Sequence, residues 1–91
     1  AAMIKATDEI DAFRLSELSK YGRGVTVCTT DVKKALSMSD HVSDGAYFIN
    51  EMVKSDPRLP FGGTKISGYG RELSKEGMLA FVNRKTVYIN K

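Results

Sequence analysis

From Glu51 to Gly70 the sequence shows neither a helical nor a strand period, and this stretch holds both prolines and four of the eight glycines. Structureless loops of about twenty residues are uncommon in compact domains and are more often functional than idle. Whatever the chain folds into must carry this segment on a rigid frame. Pro57 and Pro60 limit the freedom of the unfolded loop, and the paired Gly62 and Gly63 let backbone approach backbone or ligand closely. Phe61, between Pro60 and Gly62, sets a large apolar surface on a stiff mount. Ser55, with Lys54 and Arg58 nearby, offers a hydroxyl and positive charge suited to a carboxylate. Composition alone favours a packed surface loop over a binding loop.

The frame is legible on both sides. Residues 3–6, MIKA, read as the end of a strand. Thr7 then reads as an N-cap, with Asp8, Glu9 and Asp11 placed where the helix dipole favours anions, and a helix is expected over 8–20. Gly22 is expected to end it, because glycine tolerates the left-handed conformation past a C-cap. The β-branched run 24–30, GVTVCTT, reads as a buried strand. Thr30 or Asp31 caps a second helix, whose Val32, Ala35, Leu36, Ser39 and Val42 share one face, and Gly45 closes it. AYFIN, 46–50, is the next strand. Strand, helix and strand with tight connections make a βαβ unit, which implies parallel pairing and a right-handed crossover. Beyond the loop, Ser74 is expected to cap a helix over 75–82, and KTVYIN, 85–90, alternates as a last strand. The fold class is therefore α/β.

With 91 residues the chain suffices for one small domain, and a chain this short buries only about 60–65% of its unfolded surface. Its 42% hydrophobic content excludes disorder, collagen and low-complexity readings. No apolar run approaches the length of a membrane span, and no signal-peptide core precedes the first helix. One cysteine and one histidine make neither an internal disulfide nor a zinc site, which fits a reducing, cytoplasmic setting. Net charge is +3, and the basic residues of the second half are scattered from Lys54 to Lys91 instead of clustered or interleaved with aromatics. That distribution argues against nucleic acid and for a solvated basic surface.

The conventional chemical groups fare poorly. Cys28 lies within a β-branched strand with no nearby histidine or lysine to lower its pKa, so it reads as a buried structural residue. His41, late in the second helix, suits the C-terminal end of the dipole or plain exposure. The run Gly68 to Leu73 has leucine where a dinucleotide fingerprint needs its third glycine, and it follows a loop instead of a strand. Gly62-Gly63-Thr64-Lys65 lacks the Gly-Lys-Ser/Thr end of a phosphate loop.

The loop carries more than composition reveals. Residues 50–72, with Pro60-Phe61-Gly62-Gly63-x-Lys65-x-Ser67-Gly68-x-Gly70-Arg71-Glu72, closely resemble the C-terminal signature of NAD(P)-dependent aldehyde dehydrogenases. Tyr21-Gly22 through Thr29 and Asp31-Val32 are similar to that family's YGLGASVWTKDV segment, Gly45 to Asn50 to its GTVWVN strand, and Glu76-Gly77 to Tyr88 to its final helix and strand. Met52 to Leu59 further resembles bacterial succinate-semialdehyde dehydrogenases.

The resemblance implies that residues 50–63 grip the tail of an aldehyde, with Phe61 as the aromatic wall of the pocket and Ser55 binding a distal carboxylate; Arg58 has no equally clear counterpart there and is added as a hypothetical ligand. It implies that residues 1–83 are the C-terminal part of a catalytic domain and 84–91 an oligomerisation strand that pairs with a neighbouring subunit, giving a homo-oligomer. The family's chemistry, oxidation of an aldehyde with NAD or NADP through a cysteine thioester, needs a nucleophile, a base and a cofactor domain that lie upstream of the matching positions. Cys28 matches the tryptophan of SVWTKDV and does not inherit the nucleophile's role. The expectation is a chain that is inactive alone, binds no cofactor by itself, and is a fragment of an oxidoreductase acting on succinate semialdehyde. The alternative is a non-catalytic binding or assembly module derived from the same family.

Overall fold

A computed structural model describes residues 1–91. Helix α1 spans Glu9–Glu17 and starts where Asp8, in extended conformation, accepts the Asp11 amide on its carboxylate at 2.7 Å. The cap is therefore Asp8 and not Thr7. Thr7 lies one position further out, and its own amide donates back to the Asp11 carboxylate at 3.1 Å. That reciprocal pair satisfies two donors of the helix start and draws the Asp11 pKa below its ordinary value, the Thr7 amide being the main cause and Arg14 the second. The helix ends at Leu18 in right-handed conformation, well before Gly22. Gly22 belongs instead to strand β1, Tyr21–Gly22, which pairs antiparallel with β4, Thr64–Lys65. A long-range ladder has claimed the residue that local reasoning assigned to a C-cap.

The βαβ unit is present. Strand β2, Val25–Val27, and strand β3, Tyr47–Ile49, run parallel with Val25 opposite Tyr47 and Val27 opposite Ile49. The crossover helix α2, Val32–Ser37, is capped by Asp31, whose carboxylate accepts the Lys34 amide at 3.0 Å. It is followed by a 3-10 turn at Ser39–His41. The expected helix is thus shorter than its apolar face, and Gly45 lies beyond its end. Tyr47 reaches across from β3 to donate its hydroxyl to the Ala35 carbonyl at 2.7 Å, fixing α2 on the sheet. Glu9 and Lys34 form an ion pair between α1 and α2. Helix α3, Ser74–Leu79, starts at Ser74 itself and stops short of residue 82. Residues 3–6 and 84–91, both expected as strands, pair with nothing in the single chain. A strand needs a ladder partner, and within these residues neither segment has one.

Packing sets this fold apart from an independent domain. Only four residues are buried, and Ala35 is the sole apolar side chain among them. Gly22, Gly63 and Gly77 are the others. The accessible surface is 7765 Å², against about 5,200 Å² for a compact protein of this mass. The radius of gyration is 17.4 Å, against about 12 Å for a compact domain of this length. The faces expected to make a core lie open, with Ile10, Leu36 and Met78 each more than 60% exposed. Cys28 is exposed as well, contrary to its expected burial, because it follows the last ladder position of β2 at Val27 and nothing covers the strand end.

Candidate functional site

The loop leaves the sheet at Asn50, in left-handed conformation (φ 54°), a region asparagine tolerates better than most residues. Its side chain extends the β2–β3 ladder by one step. The Thr29 amide donates to its Oδ1 at 2.8 Å, and its Nδ2 donates to the Thr29 carbonyl at 2.8 Å. The Thr26 hydroxyl donates to the Glu51 carbonyl at 2.9 Å. These bonds tie the start of the loop to the strand end, where ligands gather in open α/β sheets.

The other end is held as firmly. Phe61 and Glu72 exchange both backbone hydrogen bonds, at 2.9 and 2.7 Å, in an isolated antiparallel bridge. Arg71 braces the bridge by donating Nη1 to the carbonyls of Gly63 at 3.0 Å and Gly70 at 2.7 Å. Under the bridge, Gly45 meets the peptide of Gly62. A Cβ at Gly45 would run into the Gly62 carbonyl oxygen and lie 2.8 Å from its carbon. Lys65 adds a third fastening, donating to the carbonyls of Glu17 and Ser19 at 3.2 and 3.1 Å. Glu17 in turn accepts the Ser43 hydroxyl at 2.6 Å and its amide at 3.0 Å, and these two bonds hold its carboxyl below the ordinary range. Burial pushes the nearby Asp44 carboxyl upward.

Between the fastenings, residues 51–60 overhang a cleft of about 550 Å³. Tyr47 and Phe48 of β3 form one side, and Lys54, Arg58, Pro60 and Phe61 the other. The structure thus brings Phe61 and Arg58 to one cleft, while Ser55 is exposed and off its wall. Arg58 is engaged internally. Its Nε and Nη2 donate to the two oxygens of Asp56 at 3.0 and 2.7 Å, holding that carboxyl far below its ordinary range and raising the guanidinium. Lys54 is likewise paired with Glu51 at 2.9 Å.

Three residues that hold the loop, Asn50, Lys65 and Arg71, stood in the stretch of family resemblance, but sequence reasoning gave them no role. Their partners are backbone atoms up to 48 positions away, as with Lys65 and Glu17, and no local pattern marks such a bond. No three His, Cys, Asp or Glu side chains are set to share a metal ion. No helix is long and apolar enough to cross a membrane. Nor do these residues fit a dinucleotide. The turn from β2 into α2 runs Cys28-Thr29-Thr30-Asp31, with no glycine to let a pyrophosphate approach and an aspartate where its charge would sit.

Comparison with known proteins follows the same residues. Residues 1–87 match the Aldehyde dehydrogenase family. The NADP(+) succinate-semialdehyde dehydrogenase of Deinococcus radiodurans is 41% identical over 87 residues, which is 96% of this chain and 18% of that enzyme. The enzyme of the same name from Mycobacterium avium is 42% identical over 89 residues, 98% of this chain and 19% of the relative. Among solved structures, succinic semialdehyde dehydrogenase from Streptococcus pyogenes, in complex with NADP+, superposes with a TM-score of 0.89 at 40% identity, covering 94% of this chain and 19% of that one. The chain therefore spans less than a fifth of the length of these relatives.

Proposed function

This chain belongs to the aldehyde dehydrogenase family, and from that premise we propose that it is the C-terminal part of a longer oxidoreductase that oxidises succinate semialdehyde. Residues 1–83 complete a catalytic domain, and residues 84–91 pair with a second subunit of a homo-oligomer in the cytoplasm. The observation that carries the reading is the loop 50–72, clamped at Asn50 and again at the Phe61–Glu72 bridge, with Phe61 on the wall of an open cleft. An aromatic wall on a rigid mount orients an aldehyde's methylene chain and excludes water without paying loop entropy at each turnover. The exposed apolar faces of α1, α2 and α3 support the same reading, since a larger domain would cover them.

The chain's share of the work is binding and orientation. Ser55 offers its hydroxyl to the distal carboxylate, and Arg58, its guanidinium already paired with Asp56, lines the cleft beside Phe61. Nucleophile, base and the NAD or NADP site belong to the rest of the enzyme, and no chemical step is assigned to these residues. In that longer enzyme, Ser55→Ala should raise KM for succinate semialdehyde about tenfold, with little change for butanal, as expected for the loss of one hydrogen bond to a charged group. Equal effects on the two aldehydes would remove the carboxylate role.

A further inference from the structure

We propose that Arg23 is a specificity residue for the negative charge of the substrate, an inference that rests on the aldehyde-oxidising role proposed above and names the cation that recognises its carboxylate. Arg23 sits between two glycines that the loop grips from both sides. On one side, Gly22 donates its amide to Ser67 Oγ at 3.1 Å and accepts the Thr64 hydroxyl at 3.2 Å and the Gly45 amide at 2.9 Å. On the other, Gly24 presses on Val53, where a Cβ would come within 2.8 Å of Cγ1. The backbone of Arg23 is thus fixed relative to the loop that carries Phe61.

Its side chain reaches over the aromatic wall itself. The guanidinium carbon lies 6.0 Å from the centre of the Phe61 ring, over its face. A guanidinium held by a ring quadrupole keeps its N–H edge available for a planar, bidentate partner. No protein carboxylate takes that edge. The five ion pairs of the structure use Arg14, Lys34, Lys54, Arg58 and Lys65, and Arg23 is in none of them. The contrast with Lys54 and Arg58 decides the assignment, because each of those is neutralised by a neighbour two or three residues away. Lys65 is engaged by Glu17 and Ser19, and Arg71 spends its Nη1 on the carbonyls of Gly63 and Gly70, so of the five cations around the loop only the Arg23 guanidinium has no hydrogen bond or ion pair to the protein. The family segment YGLGASVWTKDV has leucine at the corresponding position, so the cation is an addition to an otherwise apolar site.

The test uses the full-length enzyme carrying Arg23→Leu or Arg23→Lys, assayed with succinate semialdehyde and with butanal at low and high ionic strength. Arg23→Leu should lower kcat/KM for succinate semialdehyde about tenfold more than for butanal, mostly through KM, as expected for losing a charge-assisted bidentate contact. Arg23→Lys should recover part of that preference, and added salt should erode it in the wild type but not in Arg23→Leu. Equal losses on both aldehydes would make Arg23 a packing residue and overturn the proposal. A wild-type preference for the acidic aldehyde that survives in Arg23→Leu would overturn the Arg23 assignment alone. A wild type indifferent to the carboxylate would overturn the substrate reading together with it.

Discussion

The middle of this chain and its two ends are held by different means. From Lys20 to Glu72, strands, bridge and loop are fastened to one another by backbone and side-chain hydrogen bonds, many of them between residues more than twenty positions apart. Residues 1–6 and 83–91 make no such bonds, and their apolar side chains, Met3 at 97% and Tyr88 at 85% exposed, face outward. Yet the middle is no better supplied with a core, since its one buried apolar side chain is Ala35. Hydrogen bonds define the shape of this region, but their net contribution is only about 1 kcal/mol each, and burial must supply the rest. The middle is a frame specified by its own polar groups, and the ends present apolar side chains that nothing in the single chain covers.

The largest effect should come from isolating residues 1–91. The isolated 91-residue chain should show no cooperative thermal transition by circular dichroism and should self-associate in light scattering, and deleting residues 84–91 should reduce the association. A monodisperse monomer with a sharp melting transition would break the comparison outright. A second experiment probes the frame. In the longer enzyme, Gly45→Ala should destabilise the fold by about 1–3 kcal/mol, because the new methyl has only the Gly62 peptide to displace. The loop would move with that peptide, so kcat/KM should fall with the melting temperature. An unchanged melting temperature would show that loop and sheet are not in contact as described.

The smallest effect concerns the fastening at Glu17. Its carboxyl is held below the ordinary value of 4.5 by the Ser43 hydroxyl and amide, so the stability it contributes is present above that pH and is lost as pH falls through the lower folded value. The protection of the Ser43 amide against hydrogen exchange, relative to its intrinsic rate at each pH, should therefore fall on acidification below 4.5, and Glu17→Gln should abolish that change in protection. Protection that holds through that range would separate the turn from α1.

How much of this could be read in advance depended on how local the cause was. A cap at Thr30 or Asp31 was foreseen, and Asp31 fills it, because a carboxylate and an amide three residues on are neighbours in any helix start. Parallel pairing of β2 and β3 followed from two short β-branched runs joined by a helix-length crossover. Gly22 and Cys28 were misjudged for the opposite reason. The first was claimed by Thr64, forty-two positions away, and the second depended on what covers the end of a strand. The stiff mount of Phe61 was legible from its flanking Pro60 and Gly62, whereas the place of Arg23 was not, since nothing in Gly22-Arg23-Gly24 reveals a ring over which the guanidinium will lie.

The sequence by itself determined the βαβ unit and marked the irregular stretch that follows it, because periodicity, capping and glycine content act between near neighbours. Only the tertiary structure decided which cations are already neutralised, which glycines lie beneath a crossing peptide and which apolar faces stay open. Those outcomes depend on contacts between distant residues, and their energies exist only once the chain has brought the partners together.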